Sequence, residues 1–221
     1  MPGPKDFPHP NGDQGVMTEV RKEPPSRDNR REEILQAAEK LMLSHGLSGV
    51  TTRQIAKQVG CSEGALYVHF KSRLELLLAM LEERVPDMIE LFHSLEEAIG
   101  KNSPQENLAI AITGIYRFQK RVAPLLGGLF AEPKLLAAYR KSIIARNKGP
   151  HLASAALETY IEGEQKIGRI GRNLDAKVAA SVLLSSCFFR AFAEHFFDRV
   201  MQPPWEQFAG QLIRTIIPLS A

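Results

Sequence analysis

The stretch VTTRQIAKQVGCSEGALYVHF, residues 50–70, holds two helix starts and one helix stop within a dozen residues. Thr51 and Gln54 fit a reciprocal capping box, in which each side chain satisfies the other residue's backbone N–H. Val50 and Ile55 stand at the positions of a hydrophobic staple across that start. Gly60 supplies the left-handed turn that ends the helix. Ser62 then caps another helix, with Cys61 and Leu66 placed as a second staple. Only GCS separates the two helices. Two short helices joined by so tight a glycine-containing turn form a helix-turn-helix unit.

Residue spacing assigns the faces of the second of these helices. Leu66 and Phe70, four apart, face inward, which leaves Gly64, Ala65, Tyr67 and Val68 on other faces. Glycine inside a helix costs up to about 1 kcal/mol against alanine, so Gly64 needs a reason. Small residues at this helix start let its backbone approach a partner closely, and such units place the start of their second helix against base edges in the major groove. An earlier helix is predicted from Ile34, Leu35, Ala38, Leu41 and Met42, capped by Ser26 or Asp28 and ended by Gly46.

The run REEILQAAEKLMLSHGLSGVTTRQIAKQVGCSEGALYVHFKSRLELL resembles the DNA-binding domain of the TetR family of bacterial transcription regulators. The match rests on ILQAA, the glycine before TT, IA, VG, S-E-G-A-LY-HF and K-S-R-LELL, and covers about residues 30 to 80. The rest of the chain is like the family in length and in being helical. The expected fold is therefore all-α. A disordered arm occupies 1–26, a three-helix DNA-binding domain 27–72, and a larger helical domain for effector binding and dimerisation 73–221.

The residues themselves suggest how double-stranded DNA would be held. Thr51 and Thr52 open a helix, where backbone donors and hydroxyls suit both a cap and a phosphate oxygen. Arg53 suits a guanine edge or a phosphate, and the resemblance implies that this position contacts DNA. Ser62 belongs with the same surface. Glu63 either complements the helix dipole, the favoured reading, or accepts from a cytosine amino group. Gly64 and Ala65 permit close approach, and Ala65 suits a thymine methyl. Tyr67 can donate to phosphate, and the resemblance implies a DNA contact there. Lys71 is a phosphate counter-charge and Arg73 extends that basic rim. His69 donates to phosphate or ends the helix.

Composition adds bounds. The 221 residues are 44% hydrophobic and 24% charged, with a net charge of +3, too small to diagnose a partner. Between Arg21 and Glu75 there are ten basic and seven acidic residues, a weak lean towards an anionic partner. Cys61 and Cys187 form neither a disulfide framework nor a metal-ligand pattern, which points to a reducing cytoplasm and to no metal site. The N-terminus lacks the apolar run of a signal peptide. VAASVLLSSCFF is too short to span a bilayer and meets Arg190. In the first 26 residues prolines, glycines and charges rule out a packed core. Met17 is a possible alternative start, and Arg21, Lys22 and Arg27 permit a groove-reaching arm.

Beyond residue 73 the chain reads as helices punctuated by Pro86, Pro104, Pro124, Pro133, Pro150, Pro203 and Pro204. Phe188, Phe192 and Phe196 recur four apart on a very apolar helix. The resemblance implies that the last two long helices pair two subunits into a homodimer. It also implies a small-molecule pocket, to which Met88, Phe92, Tyr116, Phe118, Phe130, Tyr139 and Tyr160 offer aromatic and apolar bulk, although ordinary core packing explains each singly. The ligand is an unidentified effector, and no other cofactor is expected. No nucleophile elbow, phosphate-cradling glycine loop or zinc-ligand pair points to an enzyme. Glu194, His195 and Asp198 in EHFFD suit a polar network at an interface rim. The rival reading is a helical small-molecule-binding or scaffold protein with weak DNA affinity.

Overall fold

The computed structural model describes residues 27–47, 49–83 and 86–217. The predicted arm, with Met17, Arg21 and Lys22, lies outside the described residues. Ten α-helices follow in order among the described residues: α1 Arg27–His45, α2 Thr52–Val59, α3 Glu63–His69, α4 Arg73–Glu82, α5 Pro86–Glu97, α6 Pro104–Phe130, α7 Pro133–Ala145, α8 Pro150–Lys166, α9 Ala176–Phe196 and α10 Trp205–Ile216. The fold is all-α, as expected.

Local chemistry sets most of the boundaries. Gly46 sits at φ +74 and its N–H closes α1 onto Met42 O at 2.9 Å. Proline opens α6, α7 and α8 in the first helical turn, where its missing N–H costs nothing. Pro124 departs from the expectation that proline marks a break. It lies inside the 27-residue α6, which runs on to Phe130. Val122, Leu125 and Leu129 are buried around it, and that packing carries the helix through a site that costs about 3 kcal/mol in isolation.

Two hydrophobic cores organise the chain. The first joins Ile34, Leu35 and Met42 of α1, Ile55 of α2, Leu66 of α3, and Leu76, Leu77 and Met80 of α4. Leu125 and Leu129 of α6 and Leu135 of α7 complete it. The expected division between 72 and 73 therefore falls inside this core, because the buried face of α4 packs with α1. The second core gathers α5, α6, α8, α9 and α10 around Leu108, Ile112, Leu157, Tyr160, Leu183 and Trp205.

The inner face of α9 is built of small residues, Ala176, Ala179, Ala180, Cys187 and Ala191, which let α6 and α8 come close. Cys187 is wholly buried, its thiol pushed up to about 12 by that burial. Its thiol donates to Ile112 O at 3.5 Å, so it packs as a small hydrophobe. At 21 residues α9 is also longer than the apolar stretch suggests. It is the one helix among the described residues long and apolar enough to cross a membrane, and 44% of its most apolar window is buried against the protein.

Candidate nucleic-acid interface

The start of α2 is built by the predicted capping box. Gln54 N–H donates to Thr51 Oγ1 at 3.2 Å and Thr51 N–H donates to Gln54 Oε1 at 2.8 Å. Val50 and Ile55 are buried on either side. At the far end Gly60, at φ +72, turns the chain, and Cys61 N–H bonds Ala56 O at 2.9 Å. Ser62 Oγ then accepts from Ala65 N–H at 3.1 Å and starts α3.

Helix α3 presents its faces as the spacing predicts. Leu66 and the capping Phe70 are buried, while Gly64, Ala65, Tyr67 and Val68 are exposed. Among the described residues a Cβ built on Gly64 would meet only Ser62 Oγ, at 3.9 Å, so no packing there requires glycine. Val68 is 65% exposed. It lies one turn after Gly64 and across the helix from Leu66, at the centre of the outward face. It was absent from the expected contacts, although helical spacing from Leu66 locates it.

Two expectations at this surface need correction. The Thr52 hydroxyl is not free for a phosphate: Thr52 is buried and donates to the Glu63 carboxylate, with Tyr67 Oη 3.5 Å away. Glu63 thereby ties the start of α3 to the start of α2, where two helix dipoles present their positive ends. Arg73 does not extend a free basic rim. Its guanidinium donates to Leu47 O at 2.7 Å and Val50 O at 3.1 Å, and pairs with Glu132 at 3.1 Å.

Thr51, Arg53, Ser62, Glu63, Gly64, Ala65, Tyr67 and Lys71 remain exposed along α2, α3 and the turn after them, with His69 half-buried. Lys71 is held by its own backbone, whose N–H donates to Glu75 Oε2 at 2.8 Å, while Ser72 caps α4. Arg31 lies 5.2 Å over the Phe70 ring and pairs with Glu83 at 2.5 Å, bracing the end of α3 between α1 and α4.

The residues expected to line a ligand pocket do not share one. Tyr160 is fully buried and its hydroxyl accepts from Asn107 Nδ2 at 2.9 Å. Tyr116 stacks on Trp205 with ring centroids 3.9 Å apart and donates to Glu194 at 2.5 Å. Met88 is buried and Phe92 half-buried in the same second core. Phe130 is 72% exposed at the end of α6, and Tyr139 packs on the first core, so neither can line a cavity with the others. Aromatic bulk alone does not separate a core from a cavity. One cavity of about 780 Å3 runs along α9 and α10 past Val178, Val182, Phe189, Pro203 and Phe208. Another, of about 430 Å3, lies between α1, α4 and α7 beside Arg31, Glu82, Ser142 and Arg146.

The EHFFD cluster also divides. His195 and Asp198 are exposed, whereas Glu194 turns inward, its side chain only 2% exposed. It takes hydrogen bonds from Tyr116, from Lys120 at 2.9 Å and from Arg190 at 3.0 Å. On the outward face of α9 Phe188, Phe192 and Phe196 are exposed and stacked, with centroids 6.2 and 5.7 Å apart. Val178, Val182 and Phe189 extend that apolar strip.

Comparison with known proteins divides along the same line. Residues 34–80 match the family model of bacterial regulatory proteins, tetR family. Over 55 residues the chain is 54% identical to the nucleoid occlusion factor SlmA of Vibrio cholerae, covering 24% of this chain and 28% of that one. Over 81 residues it is 31% identical to the HTH-type transcriptional regulator YerO of Bacillus subtilis, covering 37% and 28%. The chain thus spans less than a third of the length of these relatives. Solved structures are similar over far more of it. A TetR transcription regulator from Haloarcula marismortui covers 86% of this chain and all of its own, at a TM-score of 0.70 and 17% identity. FadR of Bacillus subtilis, in complex with stearoyl-CoA, covers 84% and 97% at a TM-score of 0.62 and 18% identity. The tetR family model thus matches the helix-turn-helix unit, and the fold of solved TetR-type regulators extends over the remainder of this chain.

Proposed function

We propose that the chain is a homodimeric, sequence-specific DNA-binding transcription regulator that represses its target and leaves its operator when a small molecule binds the second domain. The observation that carries this reading is the outward face of α3, where Gly64, Ala65 and Val68 stand exposed on a helix braced from behind by Leu66 and Phe70. Among the described residues nothing covers that face, and its centre carries no charge. The surrounding polar groups, Arg53, Tyr67 and Lys71, are those that position a protein on phosphates.

The strip on α9 supports pairing, because an exposed apolar patch of this kind marks an interaction site and a two-fold DNA site needs two reading heads. The stearoyl-CoA held by FadR supports an apolar effector in this fold. Identity to SlmA is confined to the reading domain, so it favours related DNA sequences and carries no argument for nucleoid occlusion.

Selection of bound duplexes from a random pool tests the reading. The expected result is a palindrome with half-sites about 34–36 Å apart and an affinity that falls steeply with salt. No enrichment, or a flat salt response, would favour the binding or scaffold alternative. On the selected duplex, Lys71→Ala should weaken all sequences alike and reduce the salt slope by about 1. Val68→Ala should act differently. An exposed valine suits a thymine methyl, so the variant should lose the wild-type preference for thymine over deoxyuridine at one position of each half-site. Equal sensitivity in both proteins would remove Val68 from the reading face.

A further inference from the structure

We propose that Glu132, which lies outside the helix-turn-helix, sets how tightly the protein holds its operator, acting through Arg73 as a positioning residue. The proposal rests on the DNA-binding reading above. Arg73 opens α4, and its fork reaches three places. Nη2 donates to Leu47 O at 2.7 Å, Nε donates to Val50 O at 3.1 Å, and the two terminal nitrogens bond the Glu132 carboxylate at 3.1 and 3.3 Å. Leu47 and Val50 belong to the loop between α1 and α2, and Val50 directly precedes Thr51, the residue that caps α2. A planar guanidinium holds such a fan of acceptors in one geometry, which a lysine ammonium does not.

Glu132 comes from the corner between α6 and α7, 59 residues along the chain. It occupies the N-cap position of α7, yet its side chain makes no capping hydrogen bond. Its carboxylate serves Arg73 instead, so α7 gains nothing from it as a cap. A second contact joins the same corner to the same loop. Gly128 of α6 lies so near Leu47 that a Cβ there would stand 2.7 Å from Leu47 Cβ.

Leu47 is therefore held between α6 and the Arg73 guanidinium. The start of α2 takes its place from the α6–α7 corner, and Thr52 with Glu63 passes that placement to α3. Contacts remote from a ligand tune affinity when they fix the element that meets it.

The test uses the full-length protein and an operator duplex selected with the wild type, with dissociation constants measured over a series of salt concentrations. Glu132→Ala and Arg73→Lys are each expected to lower affinity about three- to tenfold. The salt slope should not change, because neither substitution removes a phosphate contact. The double variant should bind no more weakly than the weaker single variant, since both cut one link. Melting temperatures confirm that each variant is folded during the titration, so a loss of affinity in folded protein separates positioning from stability alone. Wild-type affinity in Glu132→Ala would overturn the proposal. So would wild-type affinity in Arg73→Lys together with a salt slope lowered by about 1 in Arg73→Ala, the signature of a phosphate contact. A wild type that selects no duplex would overturn the DNA-binding reading, and this proposal with it.

Discussion

Replacing Phe192 with glutamate should leave a folded monomer whose operator affinity is at least about 100-fold weaker than that of the wild type. Phe192 is 48% exposed and stacks on Phe188 and Phe196 along the outward strip of α9. The substitution leaves both cores intact, so the melting temperature of the subunit should change little. In a paired state the new carboxylate would be driven into an apolar contact, where an unpaired charge is prohibitive. Losing the partner removes the second reading head and with it the gain from holding two half-sites at once. Sedimentation measures the oligomeric state and duplex titration the affinity. A variant that stays dimeric, or a monomer that binds as tightly as the wild type, would discard the α9 strip as the pairing surface.

The second large effect is expected at Glu194. Burial alone would push its carboxyl up, but hydrogen bonds from Tyr116, Lys120, Arg190 and the Met201 N–H outweigh that and hold it at about 2. A carboxylate held below its ordinary value of 4.5 stabilises the fold fully above that pH. The contribution is lost as pH falls from about 4.5 through about 2. The size of the shift corresponds to on the order of 3 kcal/mol. Thermal melts should therefore show wild-type stability dropping across that interval, and Glu194→Gln should be less stable at neutral pH with a flatter acid response. Glu194→Ala should cost about 3–5 kcal/mol, because it strands the buried Arg190 guanidinium without its carboxylate. If the melting temperatures of wild type and Glu194→Gln keep the same separation from pH 7 down to pH 2, the carboxylate is not the stabilising charge.

These residues also show which features were legible in the sequence. The caps at Thr51 and Ser62 and the turn at Gly60 depend on partners within a few residues, so spacing alone locates them. The inward face of α3 follows from Leu66 and Phe70 for the same reason. Arg73 and Glu63 are different. Each lies in a stretch that reads as DNA-facing, and each is diverted by a partner that only the tertiary fold supplies, Glu132 in one case and Thr52 in the other. Glu194 turned inward because Tyr116 and Lys120, 78 and 74 residues earlier, face it across the second core. The proposed pocket residues failed for a further reason. Tyr116 and Tyr160 are packed in the second core and Tyr139 against the first, and no local pattern distinguishes a ring packed in a core from one lining a void.

Pro124 gives α6 an uneven stiffness. At 27 residues the helix is about 40 Å long, and it supplies Leu108 and Ile112 to one core but Leu125 and Leu129 to the other. Proline deletes a rung of the hydrogen-bond ladder between those two anchorages. A bend in this beam is least costly at that missing rung, so flexure between the two cores has a preferred joint, written into the chain by one imino acid.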